Sequence, residues 1–268
     1  MMAMFKGVTI GQYLPGESLL HKLDPRVKII LIIFFIAGLF LVNTFVGYGV
    51  MGAFVLTTIF GNGLPIKLIL KGLRPIFFII TFTFILHSLM TTGGDVLFSI
   101  AFLTVESEGV YTGAFMAVRL VLLVLTTSLL TLTTSPIALT DAIEHLLSPF
   151  KKIGVPAHEL AMMMTIALRF IPTLMEETDK IMKAQKARGA DFESGSLWDR
   201  AKNLVPLLVP LFISAFKRAD ELALAMESRC YRGGEGRTRF KQLQTQIRDY
   251  FAIIILVTLM AFILYSGI

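Results

Sequence analysis

The 268-residue chain has one cysteine, one tryptophan and four histidines. A single thiol, Cys230, excludes a disulfide framework and any site built from several thiolates. The ordinary reading of such a residue is a small side chain packed away from water. His21, His87, His145 and His158 are scattered along the chain. None belongs to a His-Glu-x-x-His pattern, because His158-Glu159 runs on into Leu160-Ala161-Met162, so zinc chemistry of that type is not expected. A phosphate loop of the form Gly-x-x-x-x-Gly-Lys-(Ser/Thr) is also missing. The nearest stretch, Gly233-Gly234-Glu235-Gly236-Arg237-Thr238, has the wrong spacing and no lysine. Any ATP used must therefore be bound by another chain, and no cofactor or metal is expected in this one. Charged residues make up only 16% of the sequence. They form no cluster of the kind a membrane enzyme would need at one interface.

What the chain has in excess is apolar surface. Hydrophobic residues reach 55%, with 22 Phe and a mean hydropathy of +0.74, above the ~45–50% apolar content of soluble domains. This composition indicates a membrane protein. Most of the 25 Lys and Arg and of the 19 Asp and Glu fall in residues 134–248, so that stretch is polar enough to meet water. The first apolar run begins near Val27, follows Lys22, Arg26 and Lys28, and has no small-residue cleavage site after it; it reads as a retained span. The net charge of +6 fits a basic surface beside anionic lipid and needs no nucleic acid to explain it.

A helix needs about 20 mostly apolar residues to cross the hydrocarbon core. Five spans are expected, at residues 28–43, 45–60, 75–90, 110–132 and 250–268, with Asn43 and Gly47 marking the turn that divides the first long run. Short loops rich in Lys and Arg stay inside. The N-terminal arm, with Lys6, Lys22, Arg26 and Lys28, and the 61–75 loop, with Lys67, Lys71 and Arg74, are therefore expected in the cytoplasm. The 93–109 loop has Asp95, Glu106 and Glu108 but no base, and is expected outside. This places the N-terminus and the polar 134–248 block in the cytoplasm and the C-terminus outside.

Within that block the hydrophobic period is helical, and prolines mark the starts. Pro136, with Ser135 as N-cap, opens a short amphipathic helix to about Leu147. Pro156 opens a long one through Pro172 to Arg188, with a kink expected at Pro172. After a Gly/Ser/Asp-rich link over residues 189–196, Trp198 leads a second long helix, bent near Pro206 and Pro210, to Arg229. The run Arg232-Gly233-Gly234-Glu235-Gly236-Arg237 then breaks any helix, and a basic stretch leads into the last span. The expected architecture is an all-α integral membrane protein: an arm (1–27), four transmembrane helices (28–133), a cytoplasmic domain of three helices, two of them long (134–248), and a C-terminal transmembrane helix (249–268).

Both long helices end alike. Asp179-Lys180-Ile181-Met182-Lys183-Ala184-Gln185-Lys186-Ala187-Arg188 and Asp220-Glu221-Leu222-Ala223-Leu224-Ala225-Met226-Glu227-Ser228-Arg229 share the frame Asp-x-(Ile/Leu)-x-x-Ala-x-x-(Ala/Ser)-Arg. For the first helix alone, a cation at the negative end of the dipole followed by Gly189 is an ordinary C-terminal signal. The second arginine precedes Cys230 rather than glycine, so capping is not expected to explain the repeat. Ala184 with Ala187, and Ala225 with Ser228, give each tip a slim face for close approach. Arginine in an acidic groove makes bidentate, charge-assisted bonds. Docking of each tip into a partner is the reading adopted.

Two other features stand open. The run Met162-Met163-Met164, with Leu160, Ile166, Phe170 and Leu174, reads first as core packing and otherwise as an adaptable surface for a partner of variable shape. Arg119, inside the fourth span, must either pair or reach polar surroundings, or snorkel toward the acidic outer loop.

The order of these parts resembles the transmembrane T component of energy-coupling factor transporters. The resemblance rests on the triplets Ala187-Arg188-Gly189 and Ser228-Arg229-Cys230, the long helices before them, and the opening Tyr13-Leu14-Pro15-Gly16-Glu17-Ser18 with His21-Lys22-Leu23-Asp24-Pro25-Arg26-Val27-Lys28. It covers essentially the whole chain. The second triplet departs from Ala-Arg-Gly on both sides of its arginine. The resemblance implies a non-catalytic scaffold in the cell membrane. Two ATP-binding-cassette subunits would hold ATP and magnesium, and each would engage one arginine tip. A membrane-embedded S component that captures a vitamin or metal ion would meet the methionine surface. A conventional permease conducting a small solute itself is the alternative, but it would need clustered intramembrane polar groups and broken helices; Arg119 and His87 are nearly alone.

Overall fold

The computed structural model describes residues 13–100, 103–192, 196–234 and 243–266. Lys6, residues 193–195 of the link, residues 235–242 after the second tip and residues 267–268 of the last expected span lie outside the described residues. The chain forms two compact units, one of residues up to 142 together with those from 242 onward, the other of residues 143–241.

The first unit is a bundle of α1 (Leu19–Lys22), α2 (Pro25–Leu41), α3 (Phe45–Gly61), α4 (Ile66–Leu73), α5 (Phe77–Met90), α6 (Ser107–Thr133) and α10 (Ile247–Ser266), with α7 (Pro136–Leu147) running out of it. Helices start where the sequence supplies caps. Asp24 accepts from the Arg26 N–H with Pro25 at the first helical position, and Thr44 accepts from the Gly47 N–H. Ser135 does the same for the Ala138 N–H at 3.3 Å. Tyr48, Met51, Val55 and Ile59 of α3, Leu122, Leu125, Leu129 and Leu132 of α6, and Leu256, Met260 and Ile263 of α10 recur at helical spacing and are buried together. Outward side chains are also apolar: Phe77, Phe78 and Phe82 of α5 and Phe251, Ile254 and Phe262 of α10 are exposed. A helix apolar all round suits a hydrocarbon surrounding rather than water.

Among the described residues, α6 alone is long and apolar enough to cross a membrane by itself; α4 and α5 reach that length only together and are bent by 54° between them. The expected 61–75 loop is thus partly helix. Ile66, Ile69, Leu70 and Leu73 fall on one face at i, i+3, i+4 and i+7, with Lys67 and Lys71 off it, and Ile69 is buried.

Residues 93–109, expected as a loop, carry the one element that is not helical among those described: the hairpin of β1 (Val96–Ile100) and β2 (Leu103–Glu106), antiparallel, with Phe98 opposite Val105. The alternation Val96-x-Phe98-x-Ile100 has period two, which suits a strand. Behind it, α5 lies backbone to backbone on α6. A methyl placed on Gly109 would meet the Ser88 carbonyl at 2.9 Å, and one on Gly113 the Phe84 carbonyl at 2.8 Å. Glycines four apart permit this approach between membrane helices.

The buried charges of the first unit are engaged by both side chains and backbone groups. Lys28 donates to the Thr133 carbonyl at 2.9 Å and to Thr134 Oγ1 at 3.1 Å, placing its charge on the negative end of α6. Arg26 forks onto Asp24, with Nη2 at 2.7 Å. Asp249 accepts from the Asp24 and Gln246 N–H groups at 2.8 and 2.6 Å, tying the start of α10 to the start of α2.

Arg119 pairs rather than snorkels. Its Nε donates to the Tyr48 hydroxyl at 2.5 Å, its guanidinium lies 5.0 Å from the Phe40 ring centre, and Tyr48 donates onward to the Leu39 carbonyl at 2.7 Å. Tyr48→Phe removes an acceptor and a donor at once and leaves the cation unpaired. It should destabilise the bundle by about 1–3 kcal/mol. Arg119→Leu removes the charge with its need and should cost less. Thermal unfolding in detergent should therefore show the larger loss for Tyr48→Phe.

Candidate functional site

The second unit is built on two long helices, α8 (Ala157–Ala187) and α9 (Leu197–Ser228), preceded by a 3-10 turn, Ser148–Ile153. Pro156 and Ser196 stand at their starts, and Ser196 forms a reciprocal capping box with Asp199. The hydrogen bonds from Ser196 hold the Asp199 carboxyl below its ordinary range.

Prolines do not stop either helix. A proline inside a helix removes one N–H, so the carbonyl four residues earlier loses its donor. Pro210 frees the Pro206 carbonyl in this way, and Gln185 Nε2 of α8 donates to it at 3.3 Å. That bond also fixes how the helices pair. Gln185 meets Pro206, Glu177 meets Arg218 at 3.8 Å, and Met162 meets Tyr231 at 3.0 Å. Residue numbers rise on one helix as they fall on the other, so α8 and α9 are antiparallel. Arg229 lies beside Met162 and Ile166 of α8, so at 1.5 Å per residue the stretch of α8 from there to Arg188 separates the two arginines by roughly 35–40 Å along the pair. The charged end of each helix lies beside the apolar start of the other.

Both tips have one geometry. Arg188 (φ −86°, ψ 6°) and Arg229 (φ −93°, ψ 13°) are the C-cap residues of their helices. The next residues, Gly189 and Cys230, are left-handed at φ 89° and 53°. Gly189 N–H bonds the Lys186 carbonyl at 3.0 Å and Ala190 N–H the Gln185 carbonyl at 3.0 Å; Cys230 N–H bonds Glu227 at 2.8 Å and Tyr231 N–H bonds Met226 at 3.0 Å. Each is a Schellman turn. Two expectations are corrected. The turn after the arginine is a helix cap in both copies, because Cys230 takes the glycine conformation, although that turn does not account for the shared arginine or the frame before it; and Cys230 is exposed rather than packed inside. Among the described residues it is the one non-glycine with positive φ.

Arg188 and Arg229 are exposed, and neither guanidinium has a hydrogen bond or ion pair among the described residues. Ala187 and Ser228 are exposed beside them. The surroundings differ. Lys183, Lys186 and Arg188 crowd the last two turns of α8 without an acid, whereas Glu227 accompanies Arg229. The second tip is also anchored. Its Tyr231 hydroxyl lies 3.3 Å from His158 Nε2, and His158 Nδ1 is 2.9 Å from Glu144. Under this tether is a cleft of about 440 Å³ lined by Met162, Ile166, Leu222, Met226 and Arg229.

The methionine group divides between two faces. Met162, Ile166, Phe170 and Leu174, four residues apart, are half-buried, while Leu160, Met163 and Met164 are exposed. A larger apolar face lies on the N-terminal half of α9, a half whose sequence is too apolar to stand in water. There Leu204, Leu208, Phe212 and Phe216, with Val209 and Ile213 beside them, are 43–69% exposed, and their four-residue spacing was readable. The tether through His158 had no sequence signal, since its members are distant in the chain.

The left-handed turns make opposite predictions at matched positions. Cys230→Gly removes the cost of a side chain in that region and should stabilise the second tip by about 1 kcal/mol, whereas Gly189→Ala should destabilise the first by about 1–2 kcal/mol. Amide hydrogen exchange should slow at residues 230–231 in Cys230→Gly and quicken at residues 189–190 in Gly189→Ala.

The cobalt transport protein family CbiQ matches residues 16–240. The chain is 59% identical over 266 residues to the energy-coupling factor transporter transmembrane protein EcfT of Clostridium kluyveri, covering 99% of this chain and 98% of that one. It is 60% identical over 247 residues to the protein of that name from Thermosediminibacter oceani, covering 92% and 93%, and 52% identical over 262 residues to that of Bacillus subtilis, covering 98% and 99%. With likeness of this extent, the chain belongs to the CbiQ/EcfT family of energy-coupling factor transporter transmembrane proteins.

Proposed function

We propose that this chain, a transmembrane component of an energy-coupling factor transporter, joins two ATPase subunits to a membrane-embedded S component and imports a vitamin or metal ion through it. The observation that carries the reading is the pair of equivalent arginine tips roughly 35–40 Å apart at opposite ends of one antiparallel pair. Tips so far apart suit two separate sockets, one on each of two ATPases, better than one shared groove. Ala187, Arg188 and Gly189 supply the first tip, and Ser228, Arg229 and Cys230 the second. ATP and magnesium belong to the ATPases.

Five spans hold the bundle in the cell membrane, with the N-terminus and the α8–α9 pair in the cytoplasm and the C-terminus outside. The distribution of bases supports this orientation. Lys22, Arg26, Lys28 and Arg248 gather where α2 and α10 begin, while Asp95, Glu106 and Glu108 lie near the hairpin. Leu160, Met163 and Met164, with the apolar face of α9, form the surface for the S component. Closure of the ATPases displaces the tips and tilts that surface, and only contacts that differ between the two ATPase states can supply the work.

Arg188→Ala and Arg229→Ala should each weaken ATPase association by about 2–5 kcal/mol, with uptake lost while membrane insertion and thermal stability stay unchanged. Normal uptake by both single variants and by the double variant would refute the docking. Because the first tip is the more basic, its association should fall more steeply with salt. Met163→Glu should release the S component and leave the ATPases bound. A conventional permease would instead bind its solute when this chain is purified alone.

A further inference from the structure

We propose that the first unit holds one anionic phospholipid at the end of the bundle where α2 and α10 begin and α3 and α6 end. One of its two acyl chains would lie in an apolar slot and its phosphate at Arg248. The proposal does not rest on the arginine tips or on any partner protein.

The slot has a volume of about 380 Å³, within the ~300–1,000 Å³ of small-molecule sites. Phe35 of α2, Phe54 of α3, Leu129 of α6 and Ile255 of α10 form its walls. The polar residues that reach it are committed elsewhere. Thr126 and Thr133 donate to the Leu122 and Leu129 carbonyls of their own helix at 2.8 and 2.7 Å. Asn62 accepts from the Leu20 N–H at 3.0 Å and donates to the Thr58 carbonyl at 2.8 Å. The slot therefore offers hydrocarbon to its occupant, and an apolar cavity of this kind is a poor host for water. Leu19, Phe251 and Ile255 line it while remaining 73%, 60% and 55% exposed, so it opens at the side of the bundle, where a lipid chain can enter.

One polar group at the mouth is unsatisfied. Arg248 Nε is buried and has no hydrogen-bond partner among the described residues. A guanidinium does not deprotonate, so a buried N–H of this kind calls for an acceptor. The carboxylates nearby are already engaged. Asp24 is held in the Arg26 fork, and Asp249 accepts two backbone N–H groups. Lys28 is likewise spent on Thr133 and Thr134. Among the described residues, Lys22, Arg26, Lys28 and Arg248 face Glu17, Asp24 and Asp249 at this end, which leaves positive charge in excess. Arg248 lies in the first turn of α10, where the helix dipole adds to the attraction for an anion. A phosphodiester matches the planar guanidinium fork, and a neutral lipid of the same chains still carries that phosphate but adds a quaternary cation that this surface repels.

Native mass spectrometry of the full-length chain, stripped of co-purified lipid, tests the assignment with dioleoylphosphatidylglycerol and dioleoylphosphatidylcholine. One phosphatidylglycerol should bind, at least tenfold more tightly than phosphatidylcholine, and excess inorganic phosphate should not displace it. Arg248→Gln should bring phosphatidylglycerol to the phosphatidylcholine level without altering thermal stability. Ala252→Phe, which fills the slot, should abolish retention of both lipids. Equal affinity for the two lipids, unchanged binding in Arg248→Gln, displacement by inorganic phosphate, or binding that arises only after removal of residues 1–12 would each overturn the proposal.

Discussion

The last carbonyls of a helix must find donors outside the helical ladder, and both long helices of this protein meet that requirement with the same turn. A left-handed residue after the arginine brings two backbone N–H groups back onto the final carbonyls, at Lys186 and Gln185 in one helix and at Glu227 and Met226 in the other. The arginine side chain is thereby relieved of any capping duty. Its guanidinium is free for a partner, and its backbone is held at nearly the same angles in both copies. Glycine performs this at the first tip at no steric cost. Cysteine performs it at the second against a penalty, partly offset by the Tyr231 tether to His158.

The antiparallel pairing then determines what two such tips can do. Parallel helices would present both arginines at one end, to one surface. Here the Gln185 bond to the carbonyl freed by Pro210, the Glu177–Arg218 pair and the Met162–Tyr231 contact hold the tips at opposite ends. A displacement applied at either tip would run along α8 or α9 to the apolar start of that helix, beside the other tip. Pro172 interrupts α8 near the middle of the pair, and Pro206 and Pro210 interrupt α9 beside the last turns of α8, near the first tip. Helices bend most readily where the i to i−4 ladder is interrupted, so the pair is deformable between its tips and hydrogen-bonded at them.

Much of this could be read from the residues alone, for identifiable reasons. The helix starts at Pro25, Phe45, Pro136 and Leu197 follow cap chemistry local to a few residues, that at Ala157 follows a proline, and the shared frame ending in Arg188 and Arg229 is visible on inspection. The hairpin of β1 and β2 is invisible to charge alone, since a segment without bases reads as an outer loop, although its period-two pattern is present. The helix Ile66–Leu73 was hidden by its lysines, which sit off its buried face. Gly109 and Gly113 carry a readable close-packing signal that only coordinates attach to Ser88 and Phe84. The conformation of Cys230 had no local cue at all. It is imposed by the turn, which overrides the reluctance of a side chain to be left-handed, and that is why the glycine rule misjudged the second tip. The direction of α8 against α9 was likewise beyond a reading by segments, since it is set by side chains far apart in the chain.

The energetic contrast between the two units explains where work can be stored. In the bundle, Arg26, Lys28 and Arg119 are committed to Asp24, to the end of α6 and to Tyr48; breaking any of these strands a buried group, so the bundle resists change. At the tips the arginines are exposed and unpaired, and hydration alone satisfies them. They contribute little to the stability of the isolated chain, and their interaction energy becomes available only when a partner removes them from water. A groove that desolvates Arg188 or Arg229 in one of its states more than in another would therefore bias the α8–α9 pair by that difference. The bundle would stay fixed meanwhile, because none of its own contacts has to break.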